Sequence, residues 1–170
     1  MSKPKDIYNE VIGILNSDET LSGYVDKIYE RNRDNLDASK QVLIMVEPSD
    51  ILEEKTYFPL EATFVIIITG YTFEPDLDKA INDGDNKKIM DLEQDIKNAL
   101  RPYYDLNGLC KSFSFTSSKF DIKKHSWGQK EKLRQPPLYG VEFYMNILYK
   151  PTFNTPGYGA FKYGYYPYGF

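Results

Sequence analysis

Apolar side chains near the start of the chain, Ile7, Val11, Ile14 and Leu15, recur at the spacing of one helix face. That period predicts an amphipathic helix. Pro4 suits its first position, because the backbone donor a proline lacks would be unpaired there anyway. Asn16-Ser17-Asp18 interrupts the stripe. Leu21, Tyr24, Val25 and Ile28 then predict a second short helix or helical turn, which decays into a charged run over residues 30–37.

Beyond that run the period changes to two. QVLIMVE (residues 41–47) reads as a strand closed by Pro48-Ser49-Asp50, with residues 51–55 as a connector. Residues 58–73 contain EATFVIIITGYTF, the most apolar strand of the chain. Its near-continuous middle implies burial on both faces, or one face on the core and one on a neighbouring subunit. An acidic, turn-rich stretch follows at residues 74–86, where Asp85 or Asn86 is suited to cap a helix striped by Ile89, Leu92, Ile96 and Leu100. Arg101-Pro102 should end that helix. Residues 103–109 lead into a strand over 110–122 carrying Phe113, Phe115, Phe120 and Ile122. In the last strand Tyr139, Val141, Phe143, Met145, Ile147 and Tyr149 alternate cleanly with Gly140, Glu142, Tyr144 and Asn146. The order helix, strand, strand, helix, strand, strand predicts an α+β fold, with two main helices covering a mostly antiparallel sheet.

At 170 residues the chain fits one domain, a size at which about 70% of the unfolded surface is buried on folding. Residues 1–150 form the expected folded unit and 151–170 an extension of a different kind. With 41% apolar and 27% charged residues the composition is that of an ordinary globular protein, but 15 Tyr and 10 Phe stand against a single Trp. One cysteine, Cys110, excludes an internal disulfide, and one histidine makes a zinc site untenable. Met1 is followed by Ser-Lys-Pro-Lys-Asp, so no secretory signal is expected. No apolar run approaches the ~18 residues of a membrane span. The expected setting is that of a cytosolic or virion-type product made in a reducing compartment, with no membrane partner.

Charge is unevenly spread. Residues 1–100 carry 11 basic and 21 acidic side chains, a net −10, whereas residues 101–170 carry 10 basic and 4 acidic, a net +6. Such a dipolar layout gives complementary potentials to copies meeting head to tail, and it equally serves to solvate two faces of one molecule.

Candidate chemistry is sparse. His125 sits in the basic stretch KKHSWGQKEKLRQPP (residues 123–137) among turn residues, where a solvated bystander is expected in place of a catalyst. Cys110 precedes a strand and suits a small buried hydrophobe. Asp76, Asp78, Asp83 and Asp85 invite a calcium reading. Aligning Gly84 with the invariant glycine of an EF-hand, however, places Lys79 and Ile81 where oxygen ligands belong. There is no phosphate-binding or dinucleotide glycine motif. The chain is therefore expected to be no enzyme and to use no cofactor or metal.

Two other features suit recognition. Lys123, Lys124 and Lys130 around Trp127 combine phosphate contact with a stacking surface, which keeps a nucleic-acid-binding module as an alternative. Against it stand a sequence pI near 5.1 and the absence of an RNA-recognition motif. The extension PTFNTPGYGAFKYGYYPYGF has no acidic residue, four Gly and eight Tyr or Phe. A disordered end is normally poor in aromatics, so Tyr158, Tyr163, Tyr165, Tyr166 and Phe170 are expected to dock onto a partner.

Together, IYNEVIGIL, QVLIMVEPSD, EATFVIIITGYTF, IMDLEQDIKNAL and LYGVEFYMNILYK resemble, in size, element order and strand texture over residues ~5–150, the tail terminator (tail-completion) and head–tail joining proteins of long-tailed phages. The resemblance implies a ring, six-fold in that family, seated on the tail tube in the virion's tail or neck. It would end tube polymerisation, join the tail to the head connector, and pass genomic DNA through its lumen without sequence-specific binding. Another neck or connector protein is the nearest alternative. On this reading ring contacts draw on Phe64, Ile66 and Ile68 with Tyr71 and Phe73. The acidic loop (Asp76, Asp78, Asp83) and the basic loop (Lys123, Lys124, Trp127, Lys130) then serve as two sides of a subunit contact, or as the tube and connector faces.

Overall fold

The computed structural model describes residues 2–31, 42–53, 59–73, 76–82, 84, 87–124 and 138–152. The first stripe folds as α1 (Pro4–Ser17), with Pro4 in its first turn and Ile7, Val11, Ile12, Ile14 and Leu15 buried. Asp18 then caps the short α2 (Glu19–Ser22), its Oδ1 accepting the Leu21 amide at 2.9 Å. The second predicted stripe is only half helical. Tyr24 and Val25 lie past the end of α2, and Ile28 belongs to a strand, β1 (Lys27–Tyr29). The i, i+3, i+4 spacing of Leu21, Tyr24, Val25 and Ile28 spans a helix end and a strand that pack on one core.

The strand expected to close at Pro48 runs on. β2 (Val42–Glu53) is twelve residues long and pairs with β3 (Ala62–Phe73) throughout, with a shift of register between Pro48 and Ile51. A proline lacks only a donor, which an edge strand can do without, and the shift absorbs the irregularity. Residues 51–53, expected as connector, are therefore strand.

After β3 come α3 (Leu77–Ile81) and α4 (Ile89–Leu100). The residue capping α4 is Lys88, not Asp85 or Asn86, which lie outside the described residues; its amide donates to the Asp91 carboxylate at 3.2 Å. The helix gives way at Leu100 to one 3-10 turn over Arg101–Tyr103. A tight turn through Leu106, Asn107 and Gly108, all at positive φ, returns the chain to the sheet. The single strand expected over 110–122 is two: β4 (Ser112–Phe115) and β5 (Lys119–Lys124), separated at residues 116–118. Both pair antiparallel with β6 (Leu138–Tyr149), side by side along its length.

The sheet order is β1-β2-β3-β6-β4, with β5 also on β6; every pairing is antiparallel except β1 with β2. The predicted α+β architecture is the one found. Alternate residues of the strands, Ile44 and Val46, Phe64, Ile66 and Ile68, Phe143, Met145 and Ile147, join the buried faces of α1 and α4 in one core. Gly70 is required where α4 lies on β3, since a Cβ there would sit 2.5 Å from Leu92 Cδ2. Opposite faces of the same strands carry a second, smaller buried cluster of Tyr29, Leu43, Met45 and Tyr71. Tyr71 lies over Gly140, where a Cβ would come within 2.6 Å of its ring. The expectation that β3 is buried on both faces is met within one chain.

Candidate interaction surfaces

Register fixes which segments leave the sheet together. At one end Val42 faces Thr72, Phe73 faces Leu138, and Leu138 faces Lys124. The flanks of the charged stretches 32–41, 74–86 and 125–137 therefore share that end. At the other end Glu53 faces Ala62, Ala62 faces Tyr149, and Ser2 bridges Pro151. The β2–β3 hairpin and the start of the aromatic extension leave from there.

The residues expected to carry subunit contacts fall in three groups. Phe64, Ile66, Ile68 and Tyr71 are buried in this chain's own fold, the first three in the main core and Tyr71 in the second cluster. Phe73 ends β3 opposite Leu138. Asp76 caps α3, its carboxylate accepting the amides of Asp78 (3.0 Å) and Lys79 (3.4 Å), while Asp78 lies exposed in the first turn. Lys123 and Lys124 are the last residues of β5, opposite Tyr139 and Leu138. Asp83, Trp127, Lys130, Tyr158, Tyr163, Tyr165, Tyr166 and Phe170 lie outside the described residues, as does His125. The acidic stretch thus leaves β3 and the basic stretch leaves β5, strands on either side of β6, at one end of the sheet.

The ionisable groups that are well placed inside the fold are engaged in holding elements together. Tyr24 donates to Asp95 Oδ2 at 2.8 Å, and Lys87 reaches the same oxygen at 3.0 Å. Burial first, then that bond and nearby carboxylates, push the Tyr24 phenol far above its usual range. Lys97 pairs with Glu93 one turn away on α4, and Ser118 joins both, donating to Glu93 at 2.7 Å and accepting from Lys97 at 2.9 Å. The Lys97 ammonium also lies 4.8 Å from the Phe143 ring centre. This network pins the 116–118 break between β4 and β5 to α4. The Cys110 thiol is pushed up to about 11 by burial, with Asp105 adding to it, so at neutral pH it stays protonated and a poor nucleophile. Among the described residues no three His, Cys, Asp or Glu side chains gather as a metal site, and no helix is long and apolar enough to cross a membrane.

What sequence reasoning missed is the far part of the β2–β3 hairpin. Ile51, Leu52 and Leu60 expose 47%, 60% and 79% of their surface, the last two being the most exposed large aliphatic side chains among the described residues. Ile51 faces Phe64 and Leu52 faces Thr63 in register, so the two side chains project from opposite faces of the ladder. Ser49 to Glu53 are all exposed, and Asp50 and Glu53 put carboxylates beside the apolar pair. The one signal in the sequence is the pair Ile51-Leu52 inside a stretch otherwise rich in charge. Tyr8 is a second omission. From α1 its hydroxyl reaches the Val46 carbonyl at 2.6 Å and also the Glu30 carbonyl, closing the outer edge of β2 just beyond the last residue that β1 pairs.

Neither a family model nor a curated protein matches the chain. Among solved structures, a chain from the virion of a native gene transfer agent particle aligns with 85% of this chain and 94% of its own length. The sequence identity is 13% and the TM-score 0.47, a likeness too slight to extend to what that neighbour does.

Proposed function

We propose that the chain is a non-enzymatic structural subunit of a phage-like virion. It forms a ring at the head-proximal end of the tail, ends tail-tube polymerisation, and presents a docking surface to the head connector. The observation that carries this reading is the apolar hairpin. A solitary domain gains nothing from holding Ile51, Leu52 and Leu60 in water, at about 25 cal/mol per Å² of apolar surface left unburied. An assembling subunit buries them when it meets its neighbours.

The α+β fold with two main helices on one sheet face agrees with the element order on which the resemblance to tail terminators rests. Tyr24 with Asp95, and Ser118 with Glu93, tie elements of the fold together and the Cys110 thiol stays protonated, which supports a subunit that works by shape and surface complementarity. Genomic DNA passing through such a ring needs no specific contact with it.

Light scattering tests the reading directly. The chain, alone or mixed with the tail-tube protein of the same phage, should give a ring-sized species in at least one of the two samples. A monomer in both, at every salt concentration, would falsify it.

A further inference from the structure

We infer that the aromatic extension of one copy, residues 153–170, docks along the exposed β2–β3 arm of the neighbouring copy in the ring. The contact rests on the ring reading above and names one of its interfaces.

The receiving surface lies within the described residues. Past Val46 the outer edge of β2 has no strand partner among them, and from Pro48 to Glu53 every residue is exposed. Ile51, Leu52 and Leu60 give the arm its apolar surface, and Asp50 and Glu53 give it charge. Residues 42–53 hold no basic side chain. An open strand edge flanked by apolar side chains suits an extended segment that brings its own backbone groups and large side chains.

Chemistry and place set the occupant. Residues 153–170 lie outside the described residues; their sequence holds eight Tyr or Phe, four Gly, one lysine (Lys162) and no acidic side chain. Against the carboxylates of the arm such a segment meets no like charge, whereas a second arm would. Rings spaced by glycine can follow an apolar edge without a preformed surface. The point of departure is described as well. Pro151 bridges Ser2, and Tyr149 faces Ala62, which faces Glu53, so the extension leaves the sheet at the end from which the arm projects.

Ring symmetry then sets the reach. Rotation about a ring axis moves a point sideways and never along the axis. All arms therefore share one level and all extensions start from another, the two separated by no more than two strand spacings, about 10 Å. One extension has only the width of a domain to cross, roughly 40 Å, and its 18 residues span up to about 60 Å when extended. The chain's own fold leaves Leu52 and Leu60 60% and 79% exposed; the next copy supplies the cover.

The test is a photo-cross-link in assembled full-length protein. Replacing Tyr165 with p-benzoylphenylalanine puts a photoreactive ring in the extension, and this variant is mixed with isotope-labelled wild type, with tube protein added where assembly needs it. Illumination should join position 165 to residues 47–61 of a labelled chain, read by mass spectrometry of the peptides. Leu52→Ser with Leu60→Ser in the labelled chain should cut that product by on the order of tenfold. Rings without an adduct on the arm, adducts confined to single chains, or an undiminished yield overturn the contact and leave the ring reading standing. A chain that is monomeric alone and with tube protein overturns both.

Discussion

The two halves of β2 lie on the same neighbour, β3, yet live in different surroundings. From Leu43 to Val46 every side chain is buried, alternately in the main core and in the cluster around Tyr71; from Pro48 to Glu53 every one is exposed. Hydrophobicity alone does not separate them, since Ile51 and Leu52 are as apolar as Ile44 and Leu43. Position does. Opposite the exposed half, β3 keeps Ala62 and Phe64 buried because it is a central strand with β6 on its other side. β2 has β1 on its outer side only as far as Met45, and past that residue it is the border of the sheet. The chain thus carries two kinds of apolar surface, one that stabilises the fold and one that the fold leaves uncovered.

The largest expected effect falls on the covered half. Leu92→Ala removes a fully buried α4 side chain that packs on β3 and should destabilise the chain by about 2–5 kcal/mol, read as a lower denaturant midpoint. Next comes Gly70→Val. Its Cβ must push Leu92 away from β3, costing about 1–3 kcal/mol or more in the same measurement. Tyr8→Phe, at the boundary between the halves, deletes the hydroxyl against Val46 and should cost about 1 kcal/mol. The smallest stability effect belongs to the uncovered half. Leu52→Ser should change stability by no more than about 0.5 kcal/mol while weakening assembly. A Leu52→Ser chain that loses as much stability as Leu92→Ala would erase the distinction between the halves.

Alkaline pH sharpens the same boundary. Burial first, then nearby carboxylates including Glu47, push Tyr8 and Tyr71 up to about 12 from the usual 10. A raised acid is held protonated by the fold, so its contribution is intact below pH 10 and falls as pH rises towards 12. Unfolding midpoints should decline across that window, and Tyr8→Phe should make the decline shallower.

Much of the fold was legible because periodicity survives folding. The stripes of α1 and α4 and the alternation in β6 name their buried residues nearly one for one. The errors occurred where local punctuation met a tertiary constraint. Pro48 reads as a stop, but a border strand tolerates it. Residues 110–122 read as one strand, but the Lys97–Glu93–Ser118 network holds a break in them. Ile28 reads as helix, but it pairs beside Ile44.

For the interaction surface the balance is reversed. The excess apolar content of β3 pointed to assembly, yet Phe64, Ile66, Ile68 and Tyr71 are covered by the chain's own helices and neighbouring side chains. By itself the sequence determined the element types, the α+β class and the uneven charge, because each follows from local pattern or simple counting. Only the tertiary structure decided which apolar residues stay in water and which half of β2 lies at the border of the sheet. Both depend on strand order, which pairs residues far apart in the chain and leaves no mark in any short window of it.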